Sequence, residues 1–363
     1  MLSVLVLYTY LVQVNLIVLE RKLIKNNNMK KNILIPDVVV PPAQIEHDTL
    51  GEQYNIIVGE AQHANDIPDE IWKQSHGILA FHLMDYNAEL LSKLENCQII
   101  VRLGVGYDNI DLAVARQRNI AVCNVPDYGT EEVADHTLGL LLSLVRSIPS
   151  YQQAIKKRNW DRNDNITFRL SGKTIGIIGL GRIGTAVAIR CKSFGMNIVF
   201  YDPYLDDGYD KALGITRADT LEGFLEQCDI ISIHAPSTKE TRGMVGSDFL
   251  RKVRDACILI NTARGDIINL NELYKSMKSG KVKACGLDVL PIEGHSSEQQ
   301  LVVDYENDAE WLEDRLIVTP HVAYYSAEAY TELRYKAAKQ IKNAVDGQEI
   351  KNCVNNLNNL SQS

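Results

Sequence analysis

The chain has no Cys-x-x-Cys pair, no run of lysine and arginine longer than three residues, and no basic segment ahead of its first apolar stretch. The first absence, with an odd count of seven cysteines, fits a reducing compartment and offers no thiolate metal site. Cys123, Cys257 and Cys285 lie inside apolar runs, where core packing is the expected role. The second absence, with a formal charge of −8, argues against a nucleic-acid partner. The third sets aside a secretory signal for residues 2–19. That stretch is interrupted by Tyr8, Thr9, Tyr10, Gln13 and Asn15 and followed by Arg21, Lys22 and Lys25. It reads either as a membrane anchor that leaves the rest in the cytoplasm, or as residues upstream of a start at Met29. The second reading is preferred, since the chain from Met29 opens straight into a strand.

What is present is length and apolar content: 363 residues, 45% of them hydrophobic, suffice for two domains with ample cores. Thr174 to Asp202 organises the rest. A short apolar run, Ile175 to Ile178, leads into Gly179-Leu180-Gly181-Arg182-Ile183-Gly184, a helical segment follows, and a second apolar run ends at Asp202. Glycines in this spacing between strand and helix, with an acid beyond, form a dinucleotide-binding fingerprint. Gly179 permits the tight turn, Gly181 the approach of a pyrophosphate, and Gly184 the packing of helix on strand. The helix N-terminus favours the anion. Asp202 accepts from ribose hydroxyls and repels a phosphate, so NAD is expected over NADP. Gly172-Lys173-Thr174 resembles the end of a P-loop, but it precedes the strand and Thr167 replaces the first glycine.

Before this stretch, strands are expected at 32–35, 54–58, 77–80, 98–102 and 120–123. Gly104-Val105-Gly106 after the fourth is either a plain turn or a concave array of N–H groups for a carboxylate. Thr130 reads as the N-cap of a helix that is apolar almost all round from Leu138 to Val145, which calls for cover between domains or in a homodimer. After Gly172, strands are expected at 175–178, 198–201, 230–233, 257–261, 283–287 and 316–318, the pattern of an α/β doubly wound parallel sheet.

Ligands of such sheets sit beyond the carboxyl ends of the strands. There stand His234, the run Asn261 to Gly265, Asp288 with Glu293, and Thr319-Pro320-His321. Arg264 can clamp a carboxylate with two hydrogen bonds. His321 can exchange a proton near neutral pH, and Glu293 can orient it and stabilise its cation. Together with a nicotinamide these groups suit reduction of a 2-oxo acid to a 2-hydroxy acid. Each also has a structural alternative: Arg264 a loop cap, Glu293 a solvated acid, His321 a packed histidine. His234 reads as a cofactor-loop residue, while His82 and His136 stay open.

The stretches VRLGVGYDNIDL, AVCNVPDYGTEEVADHTLGLLLSLVR, GKTIGIIGLGRIG, IVFYDPYLDDG, LINTARGDIINLNEL, GLDV, TPHVAYYSAEA and IKNCVN resemble the D-isomer-specific 2-hydroxyacid dehydrogenases. Within them the chain looks most like the C-terminal binding protein branch and its bacterial relatives. The resemblance, which begins after the extension over 1–28, implies two Rossmann-like domains: a substrate domain over 29–127 and 321–363, and an NAD-binding domain over 128–320. It implies catalytic Arg264, Glu293 and His321, with Val105, Gly106 and Arg264 on the substrate carboxylate. It sets NAD against Ile178, Gly179, Leu180, Gly181, Arg182, Ile183, Asp202, Ala235, Pro236, Thr241, Thr262, Ala263, Asp288 and Tyr324. A cytoplasmic homodimer follows by the same likeness, as does the competing class, an NAD-sensing corepressor-like scaffold with little turnover. Gly294 in place of the usual proline, the length of 295–314, and Tyr324 in place of tryptophan depart from the animal proteins near the substrate end.

Overall fold

The computed structural model describes residues 30–160, 167–293 and 299–357. The expectations for residues 1–28, for a start at Met29 and for Gly294 lie outside them. The chain divides into two compact units, named by their place along the sequence: the outer, Met1–Tyr128 with Ala327–Ser363, and the inner, Gly129–Ser326.

The outer unit holds a five-stranded, all-parallel sheet of β1 (Lys31–Ile35), β2 (Tyr54–Val58), β3 (Ser75–Ala80), β4 (Ile99–Arg102) and β5 (Ala121–Asn124). Its order is β2-β1-β3-β4-β5. Strands covered on both faces read as unbroken apolar runs, and Ile33, Leu34, Ile78, Leu79, Ile99 and Ile100 are fully buried. The helix Ala327–Val345 returns from the far end of the chain to pack on β3 and β4. Ile341 comes so close that a Cβ on Gly77 would lie 3.1 Å from its methyls. Arg334 fastens the same helix to the segment Gln44–Leu50 through a two-point pairing with the buried Glu46 (Nε to Oε1, 2.7 Å; Nη2 to Oε2, 2.5 Å).

The inner unit is built on seven parallel strands: β6 (Thr174–Ile178), β7 (Asn197–Tyr201), β8 (Thr216–Arg217), β9 (Ile230–Ile233), β10 (Cys257–Asn261), β11 (Val282–Leu287) and β12 (Leu316–Val318). They lie in the order β12-β11-β10-β9-β6-β7-β8. The chain enters at β6, runs outward through β7 and β8, then crosses to β9 on the other side. The switch point between β6 and β9 is where such sheets open a crevice for ligands.

Helix α1 (Thr130–Val145) corrects one expectation. Its N-cap is Gly129, and Thr130 is already the first helical residue. Its apolar surface is covered largely by its own unit: it packs on α2 (Arg182–Ser193) on one side and on β10, β11 and β12 on the other. A Cβ on Gly286 of β11 would lie 3.1 Å from Leu140 Cβ, so bare backbone there admits the helix. Leu141, Leu144 and Val145 are buried by this double contact.

Candidate functional site

The glycine turn joins β6 to α2 in a geometry that each of its three glycines explains. Gly179 has φ +86°, and a Cβ there would lie 2.8 Å from the His234 carbonyl oxygen at the end of β9. The turn therefore runs directly against the neighbouring strand, and a side chain is excluded twice over. A Cβ on Gly184 would meet Gly179 O at 2.1 Å, so the first turn of α2 rests on the loop backbone. A Cβ on Gly181 would meet nothing within 4 Å. Gly181 caps α2 without any side-chain hydrogen bond, so its N-terminus faces open space, a fit for a pyrophosphate.

Around this turn lie the other candidate cofactor contacts. Ile178 and Leu180 are buried, while Arg182 is exposed and Ile183 half-buried. Asp202 follows β7, and its carboxylate accepts from Leu180 N–H (3.0 Å, Oδ2) and Tyr204 N–H (3.0 Å, Oδ1). The acid thus sits against the glycine turn. Ala235 and Pro236 follow β9, and the Thr241 hydroxyl donates back to Pro236 O (2.6 Å), which closes the loop on itself. Tyr204 donates to Glu240 of that loop, a link the sequence pattern did not suggest. Thr262 is buried with its hydroxyl 2.9 Å from that of Thr137 on α1.

His234 is half-buried with Nε2 2.8 Å from Ser232 Oγ. Burial pushes its pKa down to about 3, so it stays neutral near pH 7 and is unsuited to proton transfer.

The clamp candidate Arg264 and the proton-handling candidate Glu293 lie on segments that touch. Asn261, fully buried at the end of β10, shapes the first: its Nδ2 donates to Arg264 O (2.8 Å) and its Oδ1 accepts from Ala263 N–H (3.0 Å). Arg264 Nη1 donates to Ala263 O (2.7 Å). A Cβ on Gly265 would lie 2.0 Å from the Leu290 carbonyl carbon, so backbone meets backbone where the chain after β11 heads for Glu293. Glu293 Oε2 is 3.0 Å from His321 Nδ1.

His321 is held in the left-handed region, φ +53°, by the buried Asp288. Its N–H donates to Asp288 O (2.8 Å). The Asp288 carboxylate accepts from Thr319 Oγ1 (2.6 Å), Val322 N–H (3.0 Å) and Ala323 N–H (2.9 Å). His136 on α1 completes this network, with Nε2 2.9 Å from Thr319 Oγ1. Tyr324 meets the His321 ring edge to face at 6.3 Å between centroids. Asp288 thereby fixes the turn that carries His321, and His136, left open by the sequence, supports it. Val105 and Gly106 belong to the outer unit, after β4, where Asn124 Nδ2 donates to Val105 O (2.6 Å). Among the described residues no group of three or more His, Cys, Asp or Glu could hold a metal ion, and no helix is long and apolar enough to cross a membrane.

Fold and site together define a dinucleotide-binding α/β protein with an Arg, a Glu and a His on one sheet edge. Residues 138–323 match the NAD-binding domain of the D-isomer-specific 2-hydroxyacid dehydrogenases, and the chain belongs to that family. It is 37% identical over 269 residues to D-3-phosphoglycerate dehydrogenase of Archaeoglobus fulgidus, covering 74% of this chain and 49% of that one. It is 33% identical over 327 residues to C-terminal-binding protein 1 of Caenorhabditis elegans, covering 86% and 43%. The chain thus spans about half the length of the curated relatives it matches. A crystal structure of D-lactate dehydrogenase from Aquifex aeolicus with NAD and lactic acid superposes with TM-score 0.79 at 29% identity, over 87% of this chain and 96% of that one.

Proposed function

We propose that the protein is an NAD-dependent D-2-hydroxyacid dehydrogenase, interconverting a small 2-oxo acid and its 2-hydroxy acid. The observation that carries this reading is the 3.0 Å contact of Glu293 with His321 Nδ1, on a turn abutting that of Arg264. Arg264 receives the substrate carboxylate, with the Val105 and Gly106 N–H groups as its other partners. Glu293 engages Nδ1, so proton transfer is assigned to Nε2 of His321. In reduction Nε2 gives its proton to the carbonyl oxygen, and in oxidation it takes the proton from the hydroxyl. NAD, when bound, supplies the hydride acceptor, and NADH the donor. The glycine turn and the α2 N-terminus would hold its pyrophosphate and Asp202 its adenosine ribose, and the loop from Ala235 to Thr241 with Thr262, Ala263, Asp288 and Tyr324 would flank it. The inner unit is the NAD-binding domain and the outer unit, made from both chain ends, the substrate domain. We place the protein in the cytoplasm as a homodimer joined through the inner unit.

The likeness to C-terminal-binding protein 1 favours a second reading, an NAD-responsive dimeric scaffold with little turnover. NADH oxidation assayed with a panel of 2-oxo acids separates the two: turnover with any of them supports the enzyme, and none with the whole panel supports the scaffold.

A further inference from the structure

The end of the chain crosses the free edge of β5. Val354 N–H donates to Val122 O (2.8 Å) and Asn124 N–H to Asn352 O (3.3 Å), which sets Cys123 and Cys353 directly opposite each other in an antiparallel bridge. Because the flanking residues carry the hydrogen bonds, the pair is of the non-hydrogen-bonded kind, with Cα atoms about 4.5 Å apart and side chains at their closest. Disulfides span Cα separations of about 4.4–6.8 Å. Two bonds of the buried Asn355 hold the register: Val122 N–H donates to its Oδ1 (3.0 Å), and its Nδ2 donates to Ile120 O (2.8 Å). Both cysteines are free thiols, set side by side by this bridge.

We propose that Cys123 and Cys353 are a redox-active pair that closes reversibly into a disulfide and fastens the chain end to the edge of the outer sheet. The oxidant is hydrogen peroxide. Cys353 is the attacking group: it is half-buried while the other six cysteines are buried. The neighbouring Cys123 thiol, with the backbone around Leu357 and Asn355, lowers the pKa of Cys353, while that of Cys123 is raised. While protonated, Cys353 donates to Asn355 Oδ1 (3.2 Å).

In the first step the Cys353 thiolate attacks a peroxide oxygen. An S–O bond forms, the O–O bond breaks, and the departing hydroxide takes up a proton, leaving a sulfenic acid and water. In the second step the Cys123 sulfur attacks the Cys353 sulfur. The S–S bond forms, the S–O bond breaks, and hydroxide leaves with the Cys123 proton as a second water. Two electrons from the two thiols reduce one peroxide, and an external thiol reverses the reaction by exchange.

The test is peptide mapping of the full chain after treatment with hydrogen peroxide, followed by denaturation and alkylation. The expected result is a peptide pair cross-linked through Cys123 and Cys353, with the remaining cysteines alkylated and both thiols restored by dithiothreitol. Under the same treatment Cys123→Ser should drive Cys353 on to sulfinic acid, because the partner that traps the sulfenic acid is gone. Recovery of both cysteines as alkylated thiols up to millimolar peroxide, or of Cys353 as sulfinic acid beside a reduced Cys123 in the unsubstituted chain, would overturn the proposal.

Discussion

Gly265 and Leu290 are in backbone contact, with room for no Cβ between them. This contact joins the turn of Arg264 to the segment that delivers Glu293, so the proposed carboxylate clamp and acid–base pair would depend on one packing relationship. Gly265→Ala should push the two turns apart. Overpacking of this kind costs about 1–3 kcal/mol, and the displacement should lower kcat/KM for an oxo acid by more than it weakens NADH binding. Chemical denaturation and NADH fluorescence titration of the variant check both parts.

Cofactor choice should follow from Asp202. Its carboxylate is held against the glycine turn by Leu180 and Tyr204 N–H, where an adenosine ribose edge would lie and a 2′-phosphate would be repelled. NADH should be strongly preferred to NADPH, and Asp202→Ala should narrow the gap. Loss of hydrogen bonds to a charged group costs about 1.5–3 kcal/mol, or roughly 10-fold to 100-fold in NADH affinity. Equal kcat/KM for the two cofactors in the unsubstituted protein would contradict the assignment.

Arg264→Lys should impair substrate binding and turnover together, since an ammonium cannot reproduce the planar two-point contact. A steady-state assay should show KM for the oxo acid raised and kcat lowered, with NADH affinity nearly unchanged. A change in NADH affinity alone would instead tie Arg264 to the cofactor.

The fold should lose stability in acid partly through His234. Burial lowers its folded pKa to about 3, below the unfolded value of about 6.5. The unfolded chain therefore takes up a proton that the folded one refuses. The stabilisation is complete above about pH 6.5 and is lost progressively as pH falls towards 3. Urea unfolding from pH 7 to 4.5 should be flatter in His234→Gln by about 1–2 kcal/mol, less than full linkage because the ring is only half-buried.

The strands were legible because parallel strands covered on both faces are written as continuous β-branched and aliphatic runs; those expected at 230–233, 257–261 and 316–318 match residue for residue. The exception is β8, Thr216–Arg217, which has no apolar signal. It pairs with Val199 and Phe200, and Arg217 donates to the carbonyls of Asp202, Leu205 and Asp206. The Thr130 cap was misread by one residue because Gly129 offers no side-chain signal. Arg264, Glu293 and His321 stood out as candidates because each follows a strand end. The groups that shape their turns could not: Asn261 acts through its amide, and His136 reaches Asp288 through Thr319 from a distant helix. Neither periodicity nor spacing records such contacts. The Cys123–Cys353 bridge was hidden likewise, since one thiol sits in an apolar run and the other in a polar tail.

In the proposed reaction His321 transfers the proton and Glu293 stabilises its charged form across their 3.0 Å contact. The most direct measurement is kcat/KM for oxo-acid reduction as a function of pH, for the unsubstituted protein, Glu293→Gln and His321→Ala. The rate should fall as pH rises and the imidazolium is lost, and in Glu293→Gln that fall should come at lower pH. His321→Ala should lose about 10²-fold to 10⁴-fold in rate, the range of general acid catalysis, while NADH binding persists. An unchanged pH profile in Glu293→Gln together with near-normal turnover in His321→Ala would contradict the account and remove both residues from the chemistry.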